Sequence, residues 1–248
     1  MNEPFFYLPP EHWDKEVCLE KQEAKHLALA LRLSPGQQVR LLDGQGRQGC
    51  FVILALDKKT VRLQRVSEQI FPRPASRAVL ALAFSKAVRR GFFMEKAVEL
   101  GADAVWIWQG DHSQGTVPAG LHKSLRDRMI AGAKQCGNPW LPETRVAPSG
   151  IEEVIALAHT ADYRILPWEM QENVPMLTLS QAGRPGTTLY AIGPEGGFSP
   201  RELAALRASG FAAVSLGARV LRCETAATLC LGIHWWASQQ PKDTEKRP

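Results

Sequence analysis

The chain after residue 72 alternates short apolar runs with helical patterns, and no other feature constrains the fold as strongly. The apolar runs occupy residues 78–84, 104–108, 163–166, 188–192 and 212–216. The helical patterns fall near residues 90–100, 119–135, 151–159, 200–208 and 224–238. Short apolar strands that alternate with helices favour a parallel sheet with helices on both faces. The sequence therefore predicts an α/β domain in this part of the chain.

A different pattern comes before this region, and a proline-rich segment separates the two. Pro72 and Pro74 stop regular structure and favour an extended linker. Before them, residues 23–33 have a helical pattern, and three strand-like runs follow at residues 38–43, 50–56 and 60–66. We therefore predict a small, β-rich domain at residues 1–72, an α/β domain at residues 73–241 and a flexible polar tail at residues 242–248.

The excess of positive charge lies in one stretch of the chain. The net charge is +5, and residues 73–134 hold ten Lys or Arg against five Asp or Glu. A local basic surface suits a phosphate backbone, because contact releases condensed counterions. An ordinary solvated surface explains the same charge equally well, so the charge leaves both interpretations open.

Composition excludes several classes of protein. The chain is 45% hydrophobic and 22% charged, as in ordinary globular proteins, and no run of about 18 apolar residues is long enough to cross a membrane. The five cysteines are scattered and form no C-x-x-C pair, so neither structural zinc nor a disulfide framework is expected. The first residues lack the pattern of a signal peptide, and we expect a cytoplasmic protein without a metal.

One glycine motif resembles a dinucleotide-binding loop, but the residues around it argue against that function. Residues 44–49 have the G-x-G-x-x-G spacing of a dinucleotide-binding loop. The residues that follow have a strand pattern, whereas the motif requires a helix whose N-terminus faces the pyrophosphate. We therefore predict a hairpin turn here.

A second glycine-rich loop lies at residues 193–197, directly after a predicted buried strand. The residues after it predict a helix start, with Ser199 as N-cap, Pro200 at the first helical position and Glu202 completing a capping box. Such a start does not require the sequence Gly-Pro-Glu-Gly-Gly. Glycines at the carboxyl end of a parallel strand expose backbone groups where open α/β sheets bind ligands. A tight loop without function is the alternative.

A third loop, at residues 216–225, joins the last predicted strand to the last helix. Arg219, Arg222 and Glu224 lie within six residues of one another in otherwise apolar surroundings. Such charges are either paired, as in an Arg222–Glu224 surface pair, or form a site that binds anions and moves protons. In the helix beyond, Leu229, Ile233 and Trp236 share one stripe, for which we predict a place in the core or in a subunit contact.

These two loops together resemble a known family. The residues GPEGGFSPRE, followed some twenty residues later by LGARVLRCETAA, resemble the RsmE family of ribosomal RNA uridine-N3 methyltransferases, within the SPOUT superfamily. Residues 25–36, 95–101 and 135–137 resemble further segments of that family, so the resemblance extends over most of the chain.

The resemblance implies both an architecture and an activity. The architecture is a PUA-like RNA-binding domain followed by a SPOUT domain with a parallel sheet and a deep trefoil knot. The activity is S-adenosylmethionine (SAM)-dependent methylation of N3 of a uridine in 16S ribosomal RNA of the small subunit, by a homodimer. The two alternatives are a SPOUT enzyme that acts on tRNA and a non-catalytic RNA-binding assembly factor.

The resemblance and the loop chemistry together give the predicted site. Arg222 and Arg219 are assigned to stabilisation of a phosphate or of the uridine anion, and Glu224 is the candidate base. The cofactor-binding residues are predicted to be Leu166, Pro167, Gly193, Pro194, Glu195, Gly196, Gly197, Leu216, Gly217, Leu221 and Thr225. The predicted RNA contacts are Arg32, Lys86, Arg89 and Arg90.

Overall fold

The computed structural model describes residues 3–14, 16–57, 59–85, 87–118, 120–168 and 174–240. The chain folds into two compact units. The first unit contains Met1–Arg73 and Asp127–Leu141, and the second contains Pro74–Arg126 and Pro142–Pro248. Residues 127–141, which the sequence pattern places in the α/β region, therefore pack with the N-terminal unit.

The first unit is built on a five-stranded sheet with the order β1-β3-β4-β5-β2. The strands are β1 (Phe5–Tyr7), β2 (Glu16–Glu20), β3 (Gln38–Leu42), β4 (Arg47–Leu56) and β5 (Thr60–Ile70). All neighbouring pairs are antiparallel except β1 with β3. Alternate residues of these strands, including Val39, Leu41, Phe51 and Leu63, are fully buried and form the core of this unit. This confirms the predicted β-rich character, and β1 and β2 are additional strands.

The helix predicted at residues 23–33 is shorter than expected. It consists of α1 (Lys21–Lys25) and one π-helical segment (His26–Ala30), and it ends at Ala30. Arg32 then has a φ angle of 52°, a left-handed conformation that is uncommon for a residue other than glycine. The apolar spacing predicted the helix correctly but not its early end.

The G-x-G-x-x-G segment is the turn between β3 and β4, as predicted. The Asp43 amide donates to the Arg47 carbonyl at 3.1 Å, and the two strands pair antiparallel on either side. The amide of Gly46 also donates to the Pro139 carbonyl, and a Cβ atom at Gly46 would overlap the Trp140 ring. Glycine is therefore required by the close approach of residues 139–141, a tertiary reason that the local motif does not reveal.

The second unit contains a six-stranded parallel sheet with the order β11-β9-β10-β6-β7-β8. The strands are β6 (Ser76–Ala83), β7 (Ala102–Trp108), β8 (Glu143–Ala147), β9 (Tyr163–Pro167), β10 (Gly186–Ile192) and β11 (Ala212–Val214). The five predicted strands are present, and β8 is an additional one at the edge. Its burial alternates and only Ala147 is fully buried, so it has no continuous apolar run.

Helices connect these strands. They are α2 (Ala87–Glu99), α3 (Leu121–Cys136), α4 (Ile151–Ala158), α5 (Leu179–Ala182), α6 (Pro200–Ala208) and α7 (Cys223–Gln239). The five predicted helices are present, and α5 is an additional four-residue helix. In the described part of the chain, no helix combines the length and apolarity needed to cross a membrane.

A buried histidine joins α7 to the sheet. His234 lies between two hydroxyls: Nδ1 is 3.2 Å from the Tyr190 hydroxyl and Nε2 is 3.1 Å from Ser76 Oγ. Burial lowers the pKa of His234 to about 4, because the interior disfavours the imidazolium form. The folded protein therefore holds this side chain neutral at pH 7.

Stability should consequently fall in mild acid. Between about pH 6.5 and pH 4, His234 is protonated in the unfolded chain but stays neutral in the folded protein. Lowering the pH through this range therefore favours the unfolded state. We expect this histidine to reduce the free energy of unfolding by about 2 kcal/mol between pH 7.5 and pH 5. Urea denaturation at both pH values measures it. A His234→Gln variant should lose this part of the pH dependence, and an unchanged dependence would contradict the assignment.

Candidate functional site

The predicted cofactor-binding residues fall in three segments at one edge of the parallel sheet: residues 166–167 at the end of β9, 193–197 after β10 and 216–225 after β11. In the sheet, β9 lies between β10 and β11. Because the three strands are parallel, their carboxyl ends point to the same edge. Directly after β9, the Trp168 amide donates a hydrogen bond to the carbonyl of Val214, the last residue of β11, at 2.9 Å. The sheet therefore brings together segments that are distant in sequence.

A small depression lies between the end of β9 and the loop at residues 216–225. Its walls are formed by seven residues: Pro167, Trp168, Leu216, Gly217, Arg219, Leu221 and Ala226. Five of these belong to the predicted site, whereas Trp168 and Ala226 were missed. The depression encloses only about 40 Å³, so a ligand of nucleoside size would extend over its rim. Apolar walls with one arginine suit a flat ring that carries a polar substituent.

Other predicted cofactor residues take different places. Leu166 is fully buried in the core of the second unit, so only its backbone is available to a ligand. Thr225 is exposed on the first turn of α7. Neither side chain lines the depression.

The two arginines of the third loop face solvent at the start of α7. Arg219 and Arg222 are both exposed, and Arg222 is the N-cap residue of that helix, although its side chain does not cap it. Among the residues that the structure describes, neither arginine makes a hydrogen bond or an ion pair. The Arg222–Glu224 surface pair, which the sequence left open as an alternative to a functional site, is therefore not formed. Both guanidinium groups are available to an anion.

Glu224 has a different partner. Its carboxylate accepts a hydrogen bond from the Cys223 thiol at 3.1 Å and lies in the first turn of α7. Burial, followed by the Glu224 and Glu195 carboxylates, raises the pKa of Cys223 to about 12. Cys223 is therefore a thiol at neutral pH.

The glycine-rich loop at residues 193–197 packs against the loop that follows β7. A Cβ atom at Gly196 would lie 2.8 Å from the Cβ of His112, and one at Gly193 would lie 2.9 Å from the Phe198 ring. Gly110 in turn contacts Pro194. Close packing therefore explains why two of the three glycines have no side chain, and the sequence pattern did not predict this.

The start of α6 is built as predicted and also fixes the loop after β7. Ser199 and Glu202 form the capping box, and Glu202 is fully buried. The two Glu202 carboxylate oxygens accept hydrogen bonds from the amides of Ser199 and Asp111, each at 2.8 Å. Asp111 also accepts from Ser199 Oγ at 2.6 Å and from Arg201 at 2.9 Å, and these hydrogen bonds lower its pKa. One carboxylate thus joins two loops.

His112 is a candidate that sequence reasoning missed. Its Nδ1 lies 3.2 Å from the carbonyl oxygens of both Gly196 and Gly197. Because both neighbours are acceptors, Nδ1 carries the proton, and Nε2 of the neutral ring is an acceptor. The side chain is exposed beside the glycine-rich loop. A lone histidine in a polar loop gives no local signal, because only the tertiary contact identifies it.

Of the four predicted RNA-contacting residues, the structure describes the side chain of one. Arg32 is exposed at the end of the N-terminal helix. Lys86 lies outside the described residues, and so do the side chains of Arg89 and Arg90, whose backbone belongs to α2. Within the described ranges, no three His, Cys, Asp or Glu side chains are grouped so that they can hold a metal ion.

Comparison with protein families gives two matches. A family model described as an RNA methyltransferase domain matches residues 72–235. A second model, described as an RNA methyltransferase PUA domain, matches residues 19–64.

Individual proteins are similar over most of their length. The chain is 30% identical over 227 residues to ribosomal RNA small subunit methyltransferase E of Mycobacterium bovis, covering 87% of this chain and 84% of that protein. A protein from Legionella pneumophila, solved in complex with the bound cofactor SAM, is 26% identical, with a TM-score of 0.84 and coverage of 96% and 98%. A protein from Porphyromonas gingivalis, described as a probable rRNA-methyltransferase, is 30% identical, with a TM-score of 0.81 and coverage of 93% and 97%.

Proposed function

Because the chain belongs to the ribosomal RNA small subunit methyltransferase E family, we propose that it transfers a methyl group from SAM to N3 of a uridine in 16S ribosomal RNA. The observation that carries this proposal is the depression at the carboxyl edge of the sheet. There the loops after β9 and β11 place apolar walls and a glycine backbone beside the exposed Arg219. Open α/β sheets bind ligands at this edge.

The residues around the depression fit a nucleoside cofactor. Pro167, Leu216 and Leu221 offer apolar contact to an adenine ring, and Gly217 has open space where a side chain would project. SAM supplies an electrophilic methyl group on a sulfonium. We assign binding to these residues and to the glycine-rich loop, which contributes Gly193, Pro194, Glu195, Gly196 and Gly197. The backbone of Leu166 and the exposed Thr225 complete the proposed cofactor site.

The exposed arginines provide the positive charge that the acceptor requires. Uridine N3 becomes nucleophilic only when it loses its proton, and a nearby cation stabilises the resulting anion. Arg222 is assigned to this anion, and Arg219 to the anion or to a phosphate of the RNA. The rest of catalysis is the holding of donor and acceptor in line, which lowers the entropic part of the barrier.

Two groups in this region can accept the N3 proton. Glu224 is the first, and its carboxylate accepts a hydrogen bond from the Cys223 thiol in the first turn of α7. The second is Nε2 of His112, which the two glycine carbonyls orient. Comparing Glu224→Gln with His112→Gln in a methylation assay distinguishes them, because only loss of the true acceptor lowers kcat.

Filling the depression should remove cofactor binding. Ala226 lies on α7 and lines the depression, so Ala226→Phe should weaken SAM binding at least about tenfold. Isothermal titration with SAM measures the affinity. The matched control is Ala204→Phe, on the exposed surface of α6, which should bind as the wild type does. Equal affinity in both variants would remove the depression from the cofactor site.

The substrate is tested in cells. RNA mass spectrometry of a deletion strain should show the loss of one N3-methyluridine from 16S ribosomal RNA. Loss of a methyl group from tRNA instead would identify the tRNA-acting alternative. Unchanged RNA together with no saturable SAM binding would identify a non-catalytic assembly factor.

The assembly proposed for this enzyme is a homodimer in the cytoplasm, where ribosomal subunits are made. An exposed apolar face of α7 supports it, because Leu229 is 37% and Trp236 is 55% exposed in the single chain. The residues of α7 that pack in the interior lie on the opposite face and include Cys230, Leu231 and His234. Sedimentation equilibrium measures the assembly state directly.

The proposed architecture is a PUA-like domain at residues 1–72 and a methyltransferase domain at residues 73–241, followed by the tail at 242–248. The trefoil knot implied by the resemblance is part of the same proposal. In its support, β9 lies between β10 and β11, so the chain returns past β9 to reach the edge of the sheet.

A further inference from the structure

The first unit contains a large groove that none of the assigned residues lines. Its volume is about 830 Å³, within the range of about 300–1,000 Å³ that is usual for ligand sites. Three segments form it: the start of β1, the N-terminal helix and the end of α3. The lining residues are Glu3, Pro4, Phe5, Lys25, His26, Leu29, Ala30, Leu31, Ala131, Lys134 and Gln135. We call this feature the N-terminal groove.

Apolar side chains are unusually exposed in this groove. Leu29 is 72% and Leu31 is 39% exposed, and the ring of Phe5 also lines the wall. The His26 ring also lines the groove, and its centroid lies 5.8 Å from that of the Phe6 ring. Flat and apolar surfaces of this kind stack with the bases of unpaired nucleotides.

The backbone of the helix is irregular where it borders the groove. Residues His26–Ala30 form a π-helical segment, and Arg32, two residues further on, has a left-handed conformation. π-helical turns and left-handed non-glycine residues are both unfavourable and are often found at functional sites. Leu29 lies two residues after the buried Leu27, so it is on the opposite side of the helix and faces solvent.

The charges at the groove favour a polyanion. Lys25 makes no ion pair among the described residues, while Lys134 pairs with Glu23 at 2.7 Å. The acidic lining residue, Glu3, is neutralised by Arg40 at 2.8 Å. A second groove of the same unit has the opposite character. Its lining includes five acidic residues, Glu11, Asp14, Glu16, Glu20 and Glu23, which repel a phosphate backbone.

We propose that the N-terminal groove binds unpaired nucleotides of the substrate RNA, with a base stacked among Phe5, His26 and Leu29 and a phosphate beside Lys25. The proposal rests on the proposed function, because it states how the RNA substrate of that reaction is held. Duplex RNA offers phosphates and sugar hydroxyls but no exposed base face. The apolar lining of the N-terminal groove therefore favours binding of single-stranded segments.

The test uses the full chain and a matched pair of variants. Leu29→Glu places a negative charge in the groove, and Ile70→Glu places the same charge on another part of the same unit. The two side chains are 72% and 70% exposed, so neither change disturbs the core. The probe is a fluorescein-labelled single-stranded RNA of about 12 nucleotides, and fluorescence anisotropy gives its affinity.

We expect Leu29→Glu to bind this RNA about tenfold more weakly than the wild type, and Ile70→Glu to bind within about twofold of it. Binding of the same RNA annealed to its complement should differ little between the two variants. Equal single-strand affinities would overturn the proposal, and so would an equal loss of duplex binding, which indicates a purely electrostatic effect. SAM titration of the same samples tests the proposed function separately. If the wild type did not bind SAM, the proposed methyltransferase activity would be contradicted, whereas the proposal that the N-terminal groove binds RNA would not.

Discussion

Replacing Arg222 with alanine is expected to lower the rate of RNA methylation at least about a hundredfold, while the affinity for SAM changes by less than about threefold. The rate falls because the variant lacks the cation that stabilises the uridine anion in the transition state, an effect similar in size to the loss of one oxyanion-hole donor. The affinity is kept because Arg222 does not line the depression. Single-turnover methylation and isothermal titration measure the two quantities.

The control is an exposed arginine that lies on the parallel sheet and not in the loop before α7. Arg145 is on β8, at the edge opposite to β11, and pairs with Glu143 at 2.8 Å. Arg145→Ala should therefore methylate at the wild-type rate. Full activity of Arg222→Ala would remove Arg222 from the mechanism, and a parallel loss of SAM affinity would make it a binding residue.

Replacing Glu202 with alanine is expected to lower the free energy of unfolding by about 3 kcal/mol, because the buried amides of Ser199 and Asp111 both lose a charged acceptor. The start of α6 and the loop after β7 would then lose their common anchor. Since that loop packs on Gly196, the affinity for SAM should fall as well. Urea denaturation measures the stability, and titration measures the affinity.

Glu152 is the matched control for Glu202. It is an acidic residue in contact with the same network through Arg201, but its side chain is 59% exposed. Exposed ion pairs contribute little, so Glu152→Ala should change the stability by less than about 0.5 kcal/mol. If the two variants were equally stable, the buried carboxylate would not be the anchor that the geometry indicates.

Local rules predicted the start of α6 down to single residues. Ser199, Pro200 and Glu202 occupy the predicted N-cap, first and third helical positions. A capping box forms between side chains and backbone amides within one helical turn, so neighbouring residues alone determine it. The turn at residues 44–49 was predicted correctly for the same reason. The matches to the methyltransferase and PUA family models likewise confirm the family resemblance inferred from the two loop motifs.

Edge strands and tertiary contacts were not predictable in this way. The missed β8 has alternating burial, so a search for continuous apolar runs passes over it. The helix at residues 21–30 ends early although its apolar spacing continues to Leu33. The packing of residues 127–141 with the first unit brings together residues more than about 90 positions apart, such as Gly46 with Trp140 and Phe5 with Gly137, and no periodicity encodes such contacts.

The sequence by itself determined the five predicted strands and five predicted helices of the α/β region, the capped start of α6 and the two loops that identify the family. Each of these depends on short-range spacing and on the residue types that it requires. Only the tertiary structure decided that Glu202 joins two loops, that His112 contacts the glycine-rich loop and that an apolar groove opens in the first unit. These features arise from the packing of distant segments. Packing depends on side-chain shape and on the satisfaction of buried polar groups in three dimensions, and a linear pattern does not contain that information.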